Sequence, residues 1–285
     1  MSPILKILLV CGYLFFLSIY VFAPVFLFLK KLADAAGGTK KLWKTYALLF
    51  LAGGLSTLPV ALVEWGLSAL LNPDPETVWG CFLDGFVVAS FTEETTKFAI
   101  LAFAVLRSAR FVRYTRALSF AACVSLGFAF VENALYVVSP WSPNDSLFVA
   151  FMRSFTSIPG HFIFSIFMGY FLALAIFGKK KGVNILKAEG GLSGASEKRR
   201  KNFYKNVALS YGVAIAAHGV YDFLLMIGAS PSQFSGLAFV AWIGLLIAGF
   251  YASNLCVDVL KAKDQAVAET KQAARKSDYH INVRR

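Results

Sequence analysis

The sequence predicts an all-α, polytopic transmembrane helix bundle of about seven spans, with the N-terminus outside and the C-terminus in the cytoplasm. Three observations carry that expectation. Hydrophobic residues make up 58% of the 285 and charged residues only 15%, too little polar surface to clothe a soluble domain of this size. Apolar runs long enough to cross roughly 30 Å of hydrocarbon recur along the chain. Basic residues gather in alternate loops, as membrane orientation requires.

The runs lie at about 4–29, 43–71, 79–106, 117–138, 147–177, 205–228 and 235–260. The first is too long for the apolar core of a signal peptide and passes directly into Lys30-Lys31, so it reads as a retained helix. The second ends at the turn-forming Asn72-Pro73-Asp74-Pro75, the fourth at 139–144 and the sixth at Gly228-Ala229-Ser230-Pro231. Pro59 and Pro159 fall inside spans and predict kinks there. Neighbouring helices can satisfy the carbonyls that such kinks free.

Charge then sets the topology. The loops after the first, third and fifth spans, together with the tail, carry every Lys and Arg except Lys6, Lys97 and Arg153. The opposite loops carry Asp74, Glu76 and Asp145. The basic side is therefore cytoplasmic. The same distribution disposes of nucleic acid as a partner for the net charge of +12, since a basic cytoplasmic face serves orientation and contact with anionic lipid. Residues 1–260 form one transmembrane domain with a basic loop at 179–204, and 261–285 a basic tail expected to be disordered. Cys11, Cys81, Cys123 and Cys256 show no metal-binding or disulfide spacing.

Ionisable groups at membrane depth are costly, so each one is a functional candidate. For any single residue the alternative is a buried pair that only locks two helices. Convergence argues for more. The third span carries Thr92-Glu93-Glu94-Thr95-Thr96-Lys97. Glu93 and Lys97, four apart, share a helix face and can pair, while Glu94 projects about 100° away. The fourth span carries Phe128 and Glu132-Asn133. The fifth carries Arg153, Ser157 and His161 at spacings of four, and the sixth His218 and Asp222. At that spacing Asp222 can orient the imidazole. Counted from the outer ends of their spans, Glu93, Glu132, His161 and His218 fall in a band about 10–20 Å deep at roughly 1.5 Å per residue. Four helices thus deliver carboxylates and imidazoles to one level in the outer half of the bilayer.

Taken together, Glu93-Glu94-x-x-Lys97, Phe128-x-x-x-Glu132-Asn133, Ser157-Ile158-Pro159-Gly160-His161 and His218-x-x-x-Asp222 resemble the motifs of the PrsW family of bacterial intramembrane proteases over about 84–224. The pattern is also similar to that of the CAAX prenyl proteases. It departs from theirs in having Lys97 one residue early, Glu132 in place of a histidine and Asp222 in place of an asparagine. The resemblance implies a multi-pass protein of the bacterial cytoplasmic membrane. It also implies an endopeptidase that cuts a single-span membrane protein, of anti-sigma-factor type, near its extracytoplasmic side.

Such hydrolysis needs a base to activate water and stabilisation of the oxyanion. Glu93 is the first candidate for the base and Glu94 the second. His161 and His218 with Glu132 can hold one zinc ion. Alternatively, the histidines and Asn133 can polarise the water and hold the oxyanion in a metal-free, glutamate-type enzyme. Glu93, Glu94, Glu132, His161 and His218 then form the chemical core, with Lys97, Asn133, Asp222 and Arg153 supporting it. Arg153 is expected as a partner of Asp84 or as part of the cavity wall, and Asp84 as solvated. Glu64 has no assigned role, and Ser157 and Thr92 lack the context of a nucleophile. Two rival readings of the same cluster are a proton- or ion-coupled transporter, which would show internal repeats that are absent here, and an inactive membrane scaffold.

Overall fold

The computed structural model describes residues 23, 25–28, 30, 42–107, 113–138, 143–178, 183–231 and 233–283. They contain helices and connections and no strand, which is the all-α fold expected. We number the helices α1 (Trp43–Leu71), α2 (Val78–Phe82), α3 (Phe91–Arg107), α4 (Tyr114–Val138), α5 (Pro143–Phe155), α6 (Ser157–Phe177), α7 (Glu197–Ala229) and α8 (Ser235–Val283). A π-helical segment, Leu83–Ser90, joins α2 to α3. Five stretches among the described residues are long and apolar enough to cross a membrane: Trp43–Leu71, Tyr114–Val137, Ser146–Phe177, Glu197–Ala229 and Ser235–Ala273. Most of the expected first span lies outside the described residues. Of it, 23 and 25–28 are helical, and Phe28 stacks on Phe162 with ring centroids 4.4 Å apart.

Local chemistry sets the boundaries. α1 runs through Pro59 and ends where Asn72 takes the left-handed conformation, at φ 43°, with its N–H donating to Ser68 O. Asn tolerates that conformation, and Pro73 cannot continue a helix. Thr77 caps α2 by accepting from Gly80 N at 3.0 Å. From Val78 the chain stays helical to Arg107 through the π segment, close to the expected third span.

Two expectations need correction. The span expected at 147–177 is not one kinked helix but two, broken at Thr156, whose φ and ψ are −122° and −63°. Pro159 accordingly lies in the first turn of α6, where a missing N–H costs nothing. The tail expected to be disordered continues α8 to Val283. It is rich in Ala and Lys, which favour helix. The tail is also anchored: Asp264 accepts from Tyr114 N at 2.9 Å and Thr115 N at 3.0 Å and caps the start of α4.

α4 and α6 form the buried centre, with α1 against α4 and α7 against α6. The α1–α4 contact is backbone to backbone. A Cβ on Gly53 would lie 2.0 Å from Val124 O, and one on Gly127 2.0 Å from Phe50 O. Small residues at such crossings let membrane helices approach without a hydrophobic driving force between them. Large apolar side chains such as Leu55, Leu62, Trp65, Leu237 and Ile247 point outward. That surface suits lipid and would be a liability in water. On the other side of the core, Ser90 Oγ donates to Ile215 O at 2.7 Å and ties the end of the π segment to α7.

Candidate functional site

Lys97 is the hub of the polar interior. Its side chain is 1% exposed, and its ammonium donates to Glu93 Oε2 at 2.7 Å and Glu94 Oε1 at 2.8 Å. It also lies 3.0 Å from His161 Nδ1 and 4.3 Å from the centre of the Phe128 ring. A buried ammonium persists only when its donors are satisfied, and here all three have partners. An ammonium can only donate, so His161 Nδ1 must accept. The ring proton of His161 therefore sits on Nε2, 2.9 Å from Glu132 Oε2.

Glu132 is shared. Its second oxygen accepts from Arg153 Nη2 at 2.6 Å. Arg153 also donates through Nε to Asn133 Oδ1 at 2.6 Å and through Nη2 to Ser157 Oγ at 3.2 Å, and it stacks on Tyr136 at 3.8 Å. Arg153 thus pairs with Glu132 and not with Asp84: the break at Thr156 leaves it near the end of α5, facing α4. Asp84 is neither in this network nor freely solvated. It is half-buried and lines a separate cavity of about 370 Å³ with Cys81 and Met226.

His218 lies between two carboxylates, its Nδ1 3.0 Å from Glu94 Oε1 and its Nε2 3.1 Å from Asp222 Oδ2. Its ring stacks on Phe164 at 4.7 Å and stands 5.4 Å from that of His161. Glu93 Oε2 is 4.0 Å from the Nδ1 of each histidine. The candidate core of Glu93, Glu94, Glu132, His161 and His218 and the candidate shell of Lys97, Asn133, Asp222 and Arg153 are therefore one connected network.

The network borders a cavity of about 550 Å³, and the cavity divides it. Glu93, Glu132, Arg153, His161, His218 and Asp222 line the wall, whereas Glu94, Lys97 and Asn133 do not. Glu94 is fully buried behind Glu93. Asn133, expected as an alternative oxyanion ligand, is likewise sealed off. It is held by Ala129 O, Ser157 and Arg153, so it can orient the guanidinium but not touch a reacting carbonyl. Sequence reasoning left Glu64 without a role and did not single out Tyr136, Tyr221 or Trp242, yet all four line the cavity. Tyr136 follows Glu132 by four residues and Tyr221 follows His218 by three, a helical spacing that could have signalled both. Ser157 hydrogen-bonds to Asn133 and Arg153, neither of which can act as the base of a serine nucleophile.

The trio expected to take a metal, Glu132, His161 and His218, is not a ligand group among the described residues. Glu132 is committed to Arg153 and His161, and His218 to Glu94 and Asp222. A different group, Glu93, Glu94 and His161, offers ligand atoms within 4.8 Å of one another and could hold a metal ion by type and spacing. All three, however, are the partners of the Lys97 ammonium. As arranged, the group already holds a cation, and a metal would have to displace it.

The profile of a family described as PrsW family intramembrane metalloprotease matches residues 41–248. Three similar curated proteins each bear the name Protease PrsW. The one from Oceanobacillus iheyensis is 26% identical over 66% of this chain and 72% of its own. That from Clostridioides difficile is 34% identical over 50% of this chain and 51% of its own. That from Geobacillus kaustophilus is 28% identical over 69% and 75%. No solved structure matches the chain.

Proposed function

The chain belongs to the PrsW family of intramembrane proteases, and on that premise we propose that it cuts a single-span membrane protein with a water molecule activated by Glu93. Family membership decides between the protease and transporter readings. For the choice of base, the supporting observation is that Glu93 alone of the two adjacent carboxylates lines the cavity. A base must reach the proton it removes. Glu94, fully buried, holds Lys97 and His218 in place instead.

In this reading Glu93 takes a proton from a water in the cavity as the hydroxide adds to the scissile carbonyl. Lys97 keeps Glu93 oriented and offsets the charge that Glu93 carries before the transfer. The oxyanion develops against Arg153, whose Nη1 has no hydrogen bond among the described residues, and against the cavity-lining histidines. Donors fixed in advance stabilise such charge strongly in a site poor in water. Asp222 orients His218 from the next turn.

The family description includes a metal, but the Glu93–Glu94–His161 group as arranged does not fit one beside Lys97, and no step here passes through a metal. The substrate class we propose is a single-span protein of anti-sigma-factor type, cut near its extracytoplasmic side. The expected depth of Glu93, Glu132, His161 and His218, in the outer half of the bilayer, supports a cut on that side. Contact between the basic cytoplasmic face and anionic lipid belongs to the same proposal.

The test is cleavage of a single-span reporter by the full-length protein in membranes. Glu93→Gln preserves shape and hydrogen-bonding reach but cannot accept the proton, so cleavage should fall at least a hundredfold with expression unchanged. Undiminished processing by that variant would sink the proposal.

A further inference from the structure

Five carboxylic acids belong to the polar interior, and four have cationic or imidazole partners. Glu93 and Glu94 share Lys97, Glu132 has Arg153 and His161, and Asp222 has His218. The fifth is Glu64 on α1, which lines the same cavity. Its one hydrogen-bond partner among the described residues is the Thr92 hydroxyl, at 3.0 Å. Even with both histidines charged, Lys97, Arg153 and the two imidazoles supply four positive charges against five carboxyls. An unpaired carboxylate in low dielectric is expensive, and protonation removes that cost.

The Thr92 geometry points the same way. The hydroxyl has one hydrogen and three neighbouring acceptors: Val88 O at 2.5 Å, Ala89 O at 2.9 Å and Glu64 Oε1 at 3.0 Å. The two carbonyls can only accept, and they are nearer. The Thr92–Glu64 contact is satisfied when the carboxyl keeps its own proton and donates it to the hydroxyl oxygen. Thr92 in turn adjoins Glu93 in the chain, which joins the fifth acid to the base.

We propose that Glu64 is held protonated and is a further catalytic residue, the acid that delivers a proton to the leaving amine. The second half of this rests on the protease reading. Glu93 takes a proton from water as the C–O bond forms. The tetrahedral intermediate then breaks its C–N bond, and the departing nitrogen takes the proton of Glu64. Transfer of the proton from Glu93 to Glu64 restores both groups, so the net change is peptide plus water to carboxylic acid plus amine. The charged and titratable groups that share Glu64's cavity are Glu93 from α3, Glu132 and Tyr136 from α4, Arg153 from α5, His161 from α6 and His218, Tyr221 and Asp222 from α7.

Two measurements on the full-length protein in lipid test this. Infrared absorption should show a protonated carboxyl C=O band that shifts in D2O and disappears in Glu64→Gln, with helix content unchanged by circular dichroism. Reporter cleavage by Glu64→Gln should fall about a hundredfold and lose the alkaline fall in rate that marks an essential acid. Glu64→Asp, which keeps an acid, should recover part of the rate and that limb of the pH profile. An infrared band that survives Glu64→Gln overturns the inference, as does a cleavage rate and pH profile equal to wild type. The infrared arm needs no substrate. A wild-type protein that cuts no reporter would therefore count against the protease reading, while the proton on Glu64 is judged separately.

Discussion

At the scale of single residues, Lys97 decides most about the site. Three potential metal ligands converge on a position already filled by its ammonium, so its removal should leave two buried carboxylates and an imidazole without a cation. Breaking a buried pair from one side costs about 3–5 kcal/mol. Lys97→Met should therefore melt well below wild type in thermal scans, and added zinc should raise its melting temperature, since a ligand that binds only the folded state stabilises it. Wild type should show no such rise, carry no stoichiometric zinc in elemental analysis and keep its activity in a chelator. Tight zinc retained by wild type and lost with activity would refute this view of the site. Lys97, Glu93 and Glu94 were legible as a group from their spacing alone. The separation of Glu93 from Glu94 by the cavity wall was not, because a 100° step says which way a side chain points and not what lies there.

At the scale of elements, the surprises come from backbone irregularity and close approach. The span containing Arg153, Ser157 and His161 reads as one helix with a proline kink. The break at Thr156 instead turns Arg153 toward Glu132, a pairing between residues 21 positions apart that periodicity cannot reveal. The π segment Leu83–Ser90 likewise leaves no mark in the apolar pattern, yet it runs directly into the turn bearing Glu93. π-helical turns are frequently found at functional sites. The crossing of α1 and α4 rests on Gly53 and Gly127, and it brings both Thr57 and Glu64 to the cavity. Gly127→Leu should force these backbones apart and lower stability by about 1–3 kcal/mol or more, read as reduced melting temperature and loss of cleavage together. A wild-type melting curve in that variant would show that the crossing tolerates separation.

For the whole molecule, the bundle is organised by two physical demands, apolar surface for lipid and a satisfied polar interior. The distribution of basic residues is expected to orient it with the C-terminus in the cytoplasm, so a fluorescent protein that matures only in the cytoplasm, fused after Arg285, should be bright. A dark fusion with intact cleavage would invert the topology and move the cut to the other face. Long apolar runs and turn residues determined the helical class, and the five stretches of membrane-crossing length among the described residues follow the expected boundaries to within a few residues at most ends. The same patterns named the third to sixth spans as bearers of the polar residues, since an ionisable group stands out against hydrocarbon-compatible sequence. They did not give Glu64 a neighbour, because α1 meets α3 and α4 only through tertiary packing. What the sequence by itself determined is which side chains are too costly to bury without reason. Only the tertiary structure decided which of them face the cavity, which are sealed behind it and which lacks a counter-charge, because those properties depend on distances between helices and not on spacing within one.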